Sequence, residues 1–363
     1  MIRWHAPSPS LPPPPPPPPP PSKKLKILLV GHGNISIPPN GWGAVESLIY
    51  EYYCQLKVLG HDVSILNTRD FGKIVEDIRM NAYDYVHLHN DILINIVDRF
   101  PKTTNVVLTS HYPYIHDPSK WNDLESGYNY GKFVMTPLLR QAQRVHVCAV
   151  SQKDHDAFVS YGVPASSLSI CLNGFNATRF NVVPDVSTDN AVTICLSQII
   201  KRKRHNLLYG IPGIAYVGKL KDASLTPPAG SQYLGEWTDA EKHAKLTNYA
   251  NAILVSDGEN GTPLSIKESL AVGLGCVISE AVASEIPADW FWVNVIPESR
   301  IHDAEFIRMT CDTNRLVTSA LRATIREKAV ALWDWSLLVP LYLAKITNAF
   351  GLGAPVSMPT DLK

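Results

Sequence analysis

Short apolar runs recur along most of the chain, and many of them end in a turn that contains glycine, asparagine or serine. Such runs predict strands that are buried on both faces, as in a parallel sheet covered by helices. The runs occupy residues 26–30, 63–66, 85–88, 106–109, 144–150 and 167–172, and then residues 192–196, 215–217, 232–234, 252–255 and 276–278.

Segments with helical periodicity lie between these strands. After the first strand, apolar residues recur at helical spacing over residues 45–59, and Gly60 follows as a typical C-cap. Ser151 is a typical N-cap for a helix over residues 152–161, and a last helical region spans residues 314–335. Alternating strands and helices predict an α/β fold of the doubly wound, Rossmann-like type.

The middle of the chain marks a domain boundary. Residues 181–190 are polar and poor in apolar side chains, which is typical of an interdomain linker. The sequence therefore predicts two Rossmann-like domains that face each other across a cleft, one over residues 23–185 and one over residues 190–335. At 363 residues the chain is long enough for each domain to bury its own core.

Residues 256–280 carry the clearest chemistry. A glycine-containing loop follows the strand at 252–255 and precedes a helical pattern that ends at Gly273, which predicts a βαβ unit. The backbone N–H groups of such a loop and the positive end of the helix dipole suit a phosphate ligand. Glu268 lies inside the helix, where its carboxylate either accepts hydrogen bonds from ribose hydroxyls or is solvated.

Composition excludes several classes of partner. Lys plus Arg and Asp plus Glu both number 33, so the net charge is zero and no nucleic-acid surface is expected. No run reaches the roughly 18 apolar residues of a membrane span, and the N-terminus lacks the apolar core of a signal peptide. The cysteines form no CxxC pair, which is typical of buried, reduced thiols. We therefore expect a cytoplasmic protein without a transmembrane segment.

The glycine loop resembles the donor-binding motif of family 4 glycosyltransferases, which are retaining enzymes with the GT-B fold. That motif contains a Glu, a Gly, a turn whose amides face the sugar and diphosphate, and a second Glu, which Glu268 matches. The position of the first Glu holds Asn260, with Glu259 one residue earlier, and a turn shifted by one residue lets Glu259 serve instead. The turn itself is matched by Gly261, Thr262, Pro263, Leu264 and Ser265.

The resemblance extends to the first domain and spans residues 26–349. Family members carry a Gly-Gly-x-x-Glu-like loop over the donor and acceptor, and residues 43–46 match it, with Gly43 as its second glycine. His111 matches the histidine that the family places beside the donor sugar, and the alternative is an ordinary loop residue. His89 lies in the loop that follows the preceding strand. It is likewise either a functional residue or an ordinary loop residue.

A basic run after the first strand of the second domain matches another family feature. The family places an Arg and, five residues later, a Lys on the donor diphosphate. Lys203 matches the Lys, and Gln198 stands where the Arg is usual. Either Arg202 or Arg204 is a candidate to replace the missing charge.

The resemblance implies transfer of a sugar from a nucleotide-sugar donor to a glycan or other hydroxyl acceptor, with retention of configuration. His111, Glu259 and Lys203 are then the candidate catalytic residues, and the remaining matched residues bind the donor. No metal and no cofactor are implied, because the nucleotide-sugar is a substrate. The family also returns its last helix to the first domain, which places that helix at residues 336–350.

Other interpretations of the sequence stay open. Gln198 and Asn260 motivate a non-catalytic protein of the same fold that binds a nucleotide-sugar or a glycan, and a nucleotide-sugar epimerase is a third possibility. Asp154-His155-Asp156 looks like the metal-binding DxD motif of the other glycosyltransferase fold. Carboxylates that favour the dipole of the first helical turn are the alternative explanation.

Residues 1–22 form a tail that includes ten consecutive prolines, from Pro12 to Pro21. A run of this kind adopts a polyproline II rod. The tail either docks on a proline-binding partner domain or is a disordered spacer.

Removal of the tail provides the first test. Deleting residues 1–22 should leave the melting temperature nearly unchanged, because prolines cannot join a sheet ladder and the first strand begins after them. Deleting residues 1–30 is the matched control, since it removes the first strand and should prevent folding. A drop of more than about 5 °C for the shorter deletion would mean that the tail packs on the folded chain.

Overall fold

The first half of the chain builds one parallel sheet. The computed structural model describes residues 23–41, 43–122, 127–180, 182 and 191–353. The strands of this sheet are β1 (Lys26–Gly31), β2 (Asp62–Asn67), β3 (Tyr85–Leu88), β4 (Val106–Thr109), β5 (Val145–Ala149) and β6 (Leu168–Ile170). They lie in the order β2-β1-β3-β4-β5-β6 and all pairs are parallel. The chain winds one way and then the other from β1, as in a doubly wound fold.

The second half repeats this plan. Its strands are β7 (Thr193–Leu196), β8 (Ile214–Val217), β9 (Gln232–Tyr233), β10 (Asn251–Leu254), β11 (Gly275–Ser279) and β12 (Val293–Ile296). They lie in the order β12-β11-β10-β7-β8-β9, again with parallel pairing. Here the winding reverses between β7 and β10, so loops on either side of this point open a crevice at the carboxyl ends of the strands.

Helices cover both faces of each sheet. They are α1 (Ala44–Val58), α2 (Phe71–Met80), α3 (Thr136–Gln141), α4 (Gln152–Ser160), α5 (Asp239–Lys245), α6 (Leu264–Ala271), α7 (Ala304–Thr318), α8 (Arg322–Trp333) and α9 (Trp335–Phe350). In β1, Leu28 and Val30 belong to the core on one face of the sheet, and Ile27 and Leu29 belong to the core on the other. This alternation explains why the strands are apolar at every position.

The last helix joins the two halves of the molecule. α9 follows the second sheet in sequence, yet Trp335, Val339 and Leu343 lie in the same core as Ile27 and Leu29 of β1. The helix starts at Asp334, whose carboxylate accepts hydrogen bonds from the backbone N–H groups of Ser336 and Ala177. α9 therefore restrains the position of one domain relative to the other.

The predicted fold class is confirmed, and most predicted strands lie close to their expected bounds. The region predicted to be helical at residues 314–335 is helical as far as Trp333, but the helical structure begins earlier, at Ala304, and is divided into α7 and α8. The chain bends between them, where Arg322 turns inward and donates a hydrogen bond to the carbonyl of Thr247 (2.6 Å). The sequence analysis also missed β12, α2, α3 and α5. The tail, Trp42 and all of the predicted linker except residue 182 lie outside the described residues.

The sequence predicts buried, reduced thiols and no transmembrane segment. All six cysteines have free thiols, and five of them are buried. Among the described residues, no helix combines the length and the apolar character needed to cross a membrane.

Candidate functional site

A cleft of about 360 Å³ lies where the carboxyl ends of the two sheets face each other. Its walls come from the loops after β1 and β4 in the first domain, and from the loops after β7 and β10 in the second. The twelve residues predicted from the sequence to act in catalysis or donor binding all line this one cleft. They are Gly43, His111, Gln198, Lys203, Glu259, Asn260, Gly261, Thr262, Pro263, Leu264, Ser265 and Glu268.

Glu259 occupies the floor of the cleft between two cations. Its Oε1 accepts hydrogen bonds from Lys203 Nζ and from Arg202 Nη1, the latter at 2.8 Å. Burial alone would raise the pKa of Glu259, but the two cations outweigh burial and hold that pKa below its usual value. Burial lowers the pKa of Lys203, and Glu259 opposes that effect. The three side chains together carry a net charge of +1 toward the cleft.

The structure distinguishes the two arginines that were candidates to replace the charge missing at Gln198. Arg202 lines the cleft beside Gln198. Arg204 instead donates hydrogen bonds to the backbone carbonyls of Val255 (2.7 Å) and Ser256 (2.9 Å) and pairs with Glu298. Arg204 therefore anchors the loop after β10 from outside, and Arg202 is the one of the two arginines that lines the cleft.

The turn before α6 differs from the expectation in one respect. The backbone N–H of Thr262 donates to Glu285 Oε1 at 2.8 Å, so a carboxylate of the protein already engages this predicted phosphate-binding amide. The other oxygen of Glu285 pairs with Lys267 at 2.6 Å. A Cβ at Gly261 would lie 2.5 Å from Glu285 Oε1, so any larger residue there would force this carboxylate to shift away from the Thr262 amide.

The positive end of α6 still faces the cleft. The helix has Pro263 as its N-cap and lacks a side-chain cap. The first-turn N–H groups of a helix have no intrahelical acceptor and are normally satisfied by such a cap or by a ligand. Leu264 and Ser265, which begin this turn, both line the cleft. An anion is therefore favoured at this end of α6.

Glu268 lies at the other end of the same wall and is held by Lys242. Lys242 Nζ is 2.6 Å from Glu268 Oε1 and 3.0 Å from Asp239 Oδ1. Burial raises the pKa of Glu268, and the ammonium of Lys242 only partly offsets that effect. Lys242 therefore fixes one oxygen of the Glu268 carboxylate, and the residue lines the cleft.

His111 faces the second domain from the loop after β4. Its Nε2 is buried and has no hydrogen-bond partner among the described residues. Burial lowers the pKa of His111 to about 4, so the ring is neutral near pH 7. His89 stacks behind it, with ring centroids 6.0 Å apart, and does not line the cleft.

Contacts across the cleft hold the loop after β10 against the first domain. Asn260 Nδ2 donates to the carbonyl of Ser110 at 3.3 Å. Lys153 Nζ donates to the carbonyl of Glu259 at 3.1 Å, and Tyr114 donates from its hydroxyl to Asp257 at 2.7 Å. The amide at position 260 thus spans the two domains, while the neighbouring carboxylate points to the basic floor.

The DxD-like triplet does not form a shared carboxylate site. Asp154 is buried and accepts a hydrogen bond from Ser151, whose side chain caps α4 as predicted. Asp156 is exposed and interacts with Gln152 and His155 instead. Within the described part of the chain, no group of three or more acidic, histidine or cysteine side chains is arranged to hold a metal ion.

Several residues of the cleft were not selected from the sequence. Lys242 lines it, and Glu285 closes one side of the turn before α6. Glu46, the last residue of the Gly-Gly-x-x-Glu-like segment matched in the sequence, also lines the cleft. Lys242 contacts Glu268 and Glu285 contacts the amide of Thr262, each from a different part of the chain. The spacing of residues along the sequence therefore gave no indication of either contact. Trp237, in the loop after β9, also lies in the cleft wall, whereas Gly218 and Lys219, after β8, do not line the cleft.

Solved structures with the same architecture include several proteins that act on sugars or bind nucleotides. HepE of Anabaena, in complex with UDP and glucose, shares 16% identity at a TM-score of 0.65, over 89% of this chain and 99% of that chain. Sucrose-phosphate synthase of Thermosynechococcus elongatus shares 14% identity at a TM-score of 0.71, over 91% and 100%. WaaG, a glycosyltransferase involved in lipopolysaccharide biosynthesis, shares 12% identity at a TM-score of 0.64, over 88% and 99%.

This likeness confirms the two-domain GT-B architecture expected from the sequence. No family model matches the chain, and no curated protein matches it by sequence. At sequence identities of 12–16%, this structural similarity establishes the fold alone.

The buried charges on the cleft floor lead to a stability prediction. Lys203→Met leaves Glu259 with Arg202 as its remaining cationic partner, so the free energy of unfolding should fall by less than the ~3–5 kcal/mol lost when a buried charge is left uncompensated. The double variant Lys203→Met/Glu259→Gln should lose less than the sum of the two single losses, because each single change removes the same Lys203–Glu259 contact. Urea unfolding measures both, and Lys201→Met, at an exposed neighbouring lysine, is the control. Strictly additive losses in the double variant would contradict a direct coupling between Lys203 and Glu259.

Proposed function

We propose that this chain is a glycosyltransferase that moves a sugar from a nucleotide-sugar to a hydroxyl acceptor, with retention of anomeric configuration. The observation that carries the proposal is the combination of charges in one cleft. Two cations and an uncapped helix end line this cleft, and Glu268, a carboxylate inside the same helix, lines it too. The cations and the helix end suit the diphosphate of a nucleoside diphosphate sugar, and the carboxylate suits its ribose.

The diphosphate is assigned to the floor of the cleft. Lys203 and Arg202 supply positive charge there, and the N–H groups of Leu264 and Ser265 supply fixed dipoles. The departing nucleoside diphosphate develops negative charge, which these groups stabilise more in the transition state than in the bound substrate. Two side-chain cations supply the charge that a divalent metal supplies elsewhere, so we propose that the reaction needs no metal.

The ribose and the sugar are assigned to the two ends of the same wall. Glu268, oriented by Lys242, accepts hydrogen bonds from the ribose hydroxyls. Glu259 holds Lys203 and Arg202 in place and faces the transferred sugar, with neutral His111 opposite. The resemblance to family 4 glycosyltransferases implies that the acceptor hydroxyl attacks from the face that the diphosphate leaves, with the leaving phosphate taking its proton, and we propose this course for the reaction.

A non-catalytic protein that binds a nucleotide-sugar or a glycan in the same cleft is the second candidate. The Glu285 carboxylate on the Thr262 amide favours it, because that amide is unavailable to the donor. Gln198 and Asn260 favour it too, since neither side chain carries charge. The two candidates share donor binding and differ in turnover.

Two substitutions on different parts of the donor test the placement of the diphosphate and ribose. Lys203→Ala should weaken binding of both nucleoside diphosphate and nucleotide-sugar by about 1.5–3 kcal/mol, the value of a charge-assisted contact. Glu268→Ala should weaken binding of the plain nucleoside as well. Calorimetric titration of common nucleosides, nucleoside diphosphates and nucleotide-sugars measures these affinities, with Lys201→Ala as the control. Unchanged nucleoside binding in Glu268→Ala would remove its assigned role.

A second set of variants separates the enzyme from the binding protein. Glu259→Gln should lower turnover by on the order of 100-fold, because an amide neither holds the two cations nor favours positive charge on the sugar ring. Asn260→Ala should lower it only mildly, since it removes one interdomain hydrogen bond. Release of nucleoside diphosphate is the measurement. A wild-type chain that binds donor without turnover, and gains turnover with Asn260→Glu, would favour the binding protein.

A further inference from the structure

A buried lysine lies behind the turn that precedes α6. The side chain of Lys267 is fully buried, and its Nζ is 2.6 Å from Glu285 Oε2. The other oxygen of Glu285 accepts a hydrogen bond from the backbone N–H of Thr262 at 2.8 Å. We propose that Lys267 is a positioning residue of the anion site, which holds Glu285 on the turn and neutralises that carboxylate beside the N-terminus of α6. This inference rests on the proposed function and adds to it a residue that acts on the diphosphate without touching it.

Three contacts fix the ammonium group of Lys267. Besides pairing with Glu285, it donates a hydrogen bond to the backbone carbonyl of Asn173 at 2.7 Å. It also lies 5.1 Å from the ring centroid of the buried Trp333, within the range of a cation–π interaction. Asn173 lines the cleft and follows β6, so Lys267 connects this segment of the chain to the loop that carries Glu285.

Glu285 is bound to the turn before α6 at two points. Its backbone N–H donates to Thr262 Oγ1 at 3.3 Å, in addition to the contact of its carboxylate with the Thr262 amide. A Cβ at Gly261 would lie 2.5 Å from Glu285 Oε1, so the glycine leaves room for the carboxylate. Pro263 follows directly as the N-cap of α6. The pair of Lys267 and Glu285 thus fixes the chain at the point where it enters the helix.

Stability alone is a weak reason for a buried ion pair at this place. Replacing such a pair by apolar side chains of similar volume is often neutral or stabilising. Lys267 is one of the buried residues of α6, as are Ile266 and Leu270, which belong to the core of the second domain. An apolar side chain at position 267 would therefore suit these surroundings, and the charge there points to a role in the site.

The charge of Glu285 is close enough to the proposed anion site to affect it. Glu285 Oε1 is 2.8 Å from the Thr262 nitrogen, and the two residues from there to the start of α6 span at most about 7 Å. A carboxylate without a cation, about 10 Å from a phosphate, would weaken phosphate binding roughly 10-fold at an effective dielectric constant of about 20. Lys153 and Asp154 on α4 also act on Glu285 through space, with opposite signs. Lys267 is in direct contact with the carboxylate and cancels its repulsion.

Three variants with opposite changes of charge test the inference. Lys267→Met leaves the carboxylate without its cation, so the Kd of a nucleoside diphosphate should rise about 10-fold. Glu285→Gln keeps an oxygen for the Thr262 N–H and leaves the ammonium without its carboxylate, so that Kd should fall by at least about threefold. The double variant Lys267→Met/Glu285→Gln adds no charge, so its Kd should return to within about threefold of the wild-type value.

Calorimetric titration of the full chain with ADP, GDP and UDP measures these affinities, and the comparison uses the diphosphate that the wild type binds most tightly. The matching nucleoside carries no charge, so its Kd should change by less than about twofold in all three variants. Lys57→Met and Asp62→Asn alter an exposed ion pair that does not line the cleft, and they are the matched charge controls. Thermal melts establish that each variant folds.

Several results would overturn the inference. Lower melting temperatures with an unchanged Kd of the diphosphate would assign the pair a structural role alone. Equal losses in Lys267→Met and in the double variant would contradict the charge account. If Lys267→Met does not fold, Glu285→Gln decides, because an unchanged or weaker affinity for the diphosphate in that variant contradicts the inference by itself. A wild type that binds none of the three diphosphates would contradict the proposed function, whereas wrong signs in a chain that binds them would contradict this inference only.

Discussion

The contact of Glu259 with Arg202 and Lys203 is the interaction on which the rest of the site depends. Two cations on adjacent residues repel each other, and burial disfavours the charge on Lys203. The carboxylate of Glu259, which comes from the neighbouring loop, stabilises both positive charges at this buried position. The same contact fixes where the cleft is most positive. A substitution at position 259 is therefore expected to affect the cations as much as any sugar that Glu259 touches.

The cleft exists because two independent sheets present their carboxyl ends to each other. α9 packs into the core beside β1, and Asn260 and Tyr114 bond across the cleft. Both hydrogen bonds involve the loop after β10, which also carries Glu259. The contacts between the two domains and the geometry of the charged floor are thus linked through this loop.

Parallel strands that are buried on both faces are apolar throughout, which is why the strands and the doubly wound class could be predicted from the sequence. The clustering of His111, Lys203 and Glu268 was predictable for a related reason, since strand ends meet at one edge. Side-chain partners were not predictable. Lys242 reaches Glu268 from another helix, and Glu285 reaches the amide of Thr262 from a later loop. Neither pairing follows from spacing along the chain.

The central claim is sugar transfer with retention in this cleft, and a time course of donor consumption by proton NMR tests it directly. Candidate donors are first selected by their effect on the melting temperature of the protein, because a bound ligand raises the apparent stability by mass action. With EDTA present, consumption of the donor should release nucleoside diphosphate. The sugar product should appear first as the anomer that has the same configuration as the donor. An inverted first anomer, or consumption that stops with EDTA and resumes with Mn²⁺, would contradict the account.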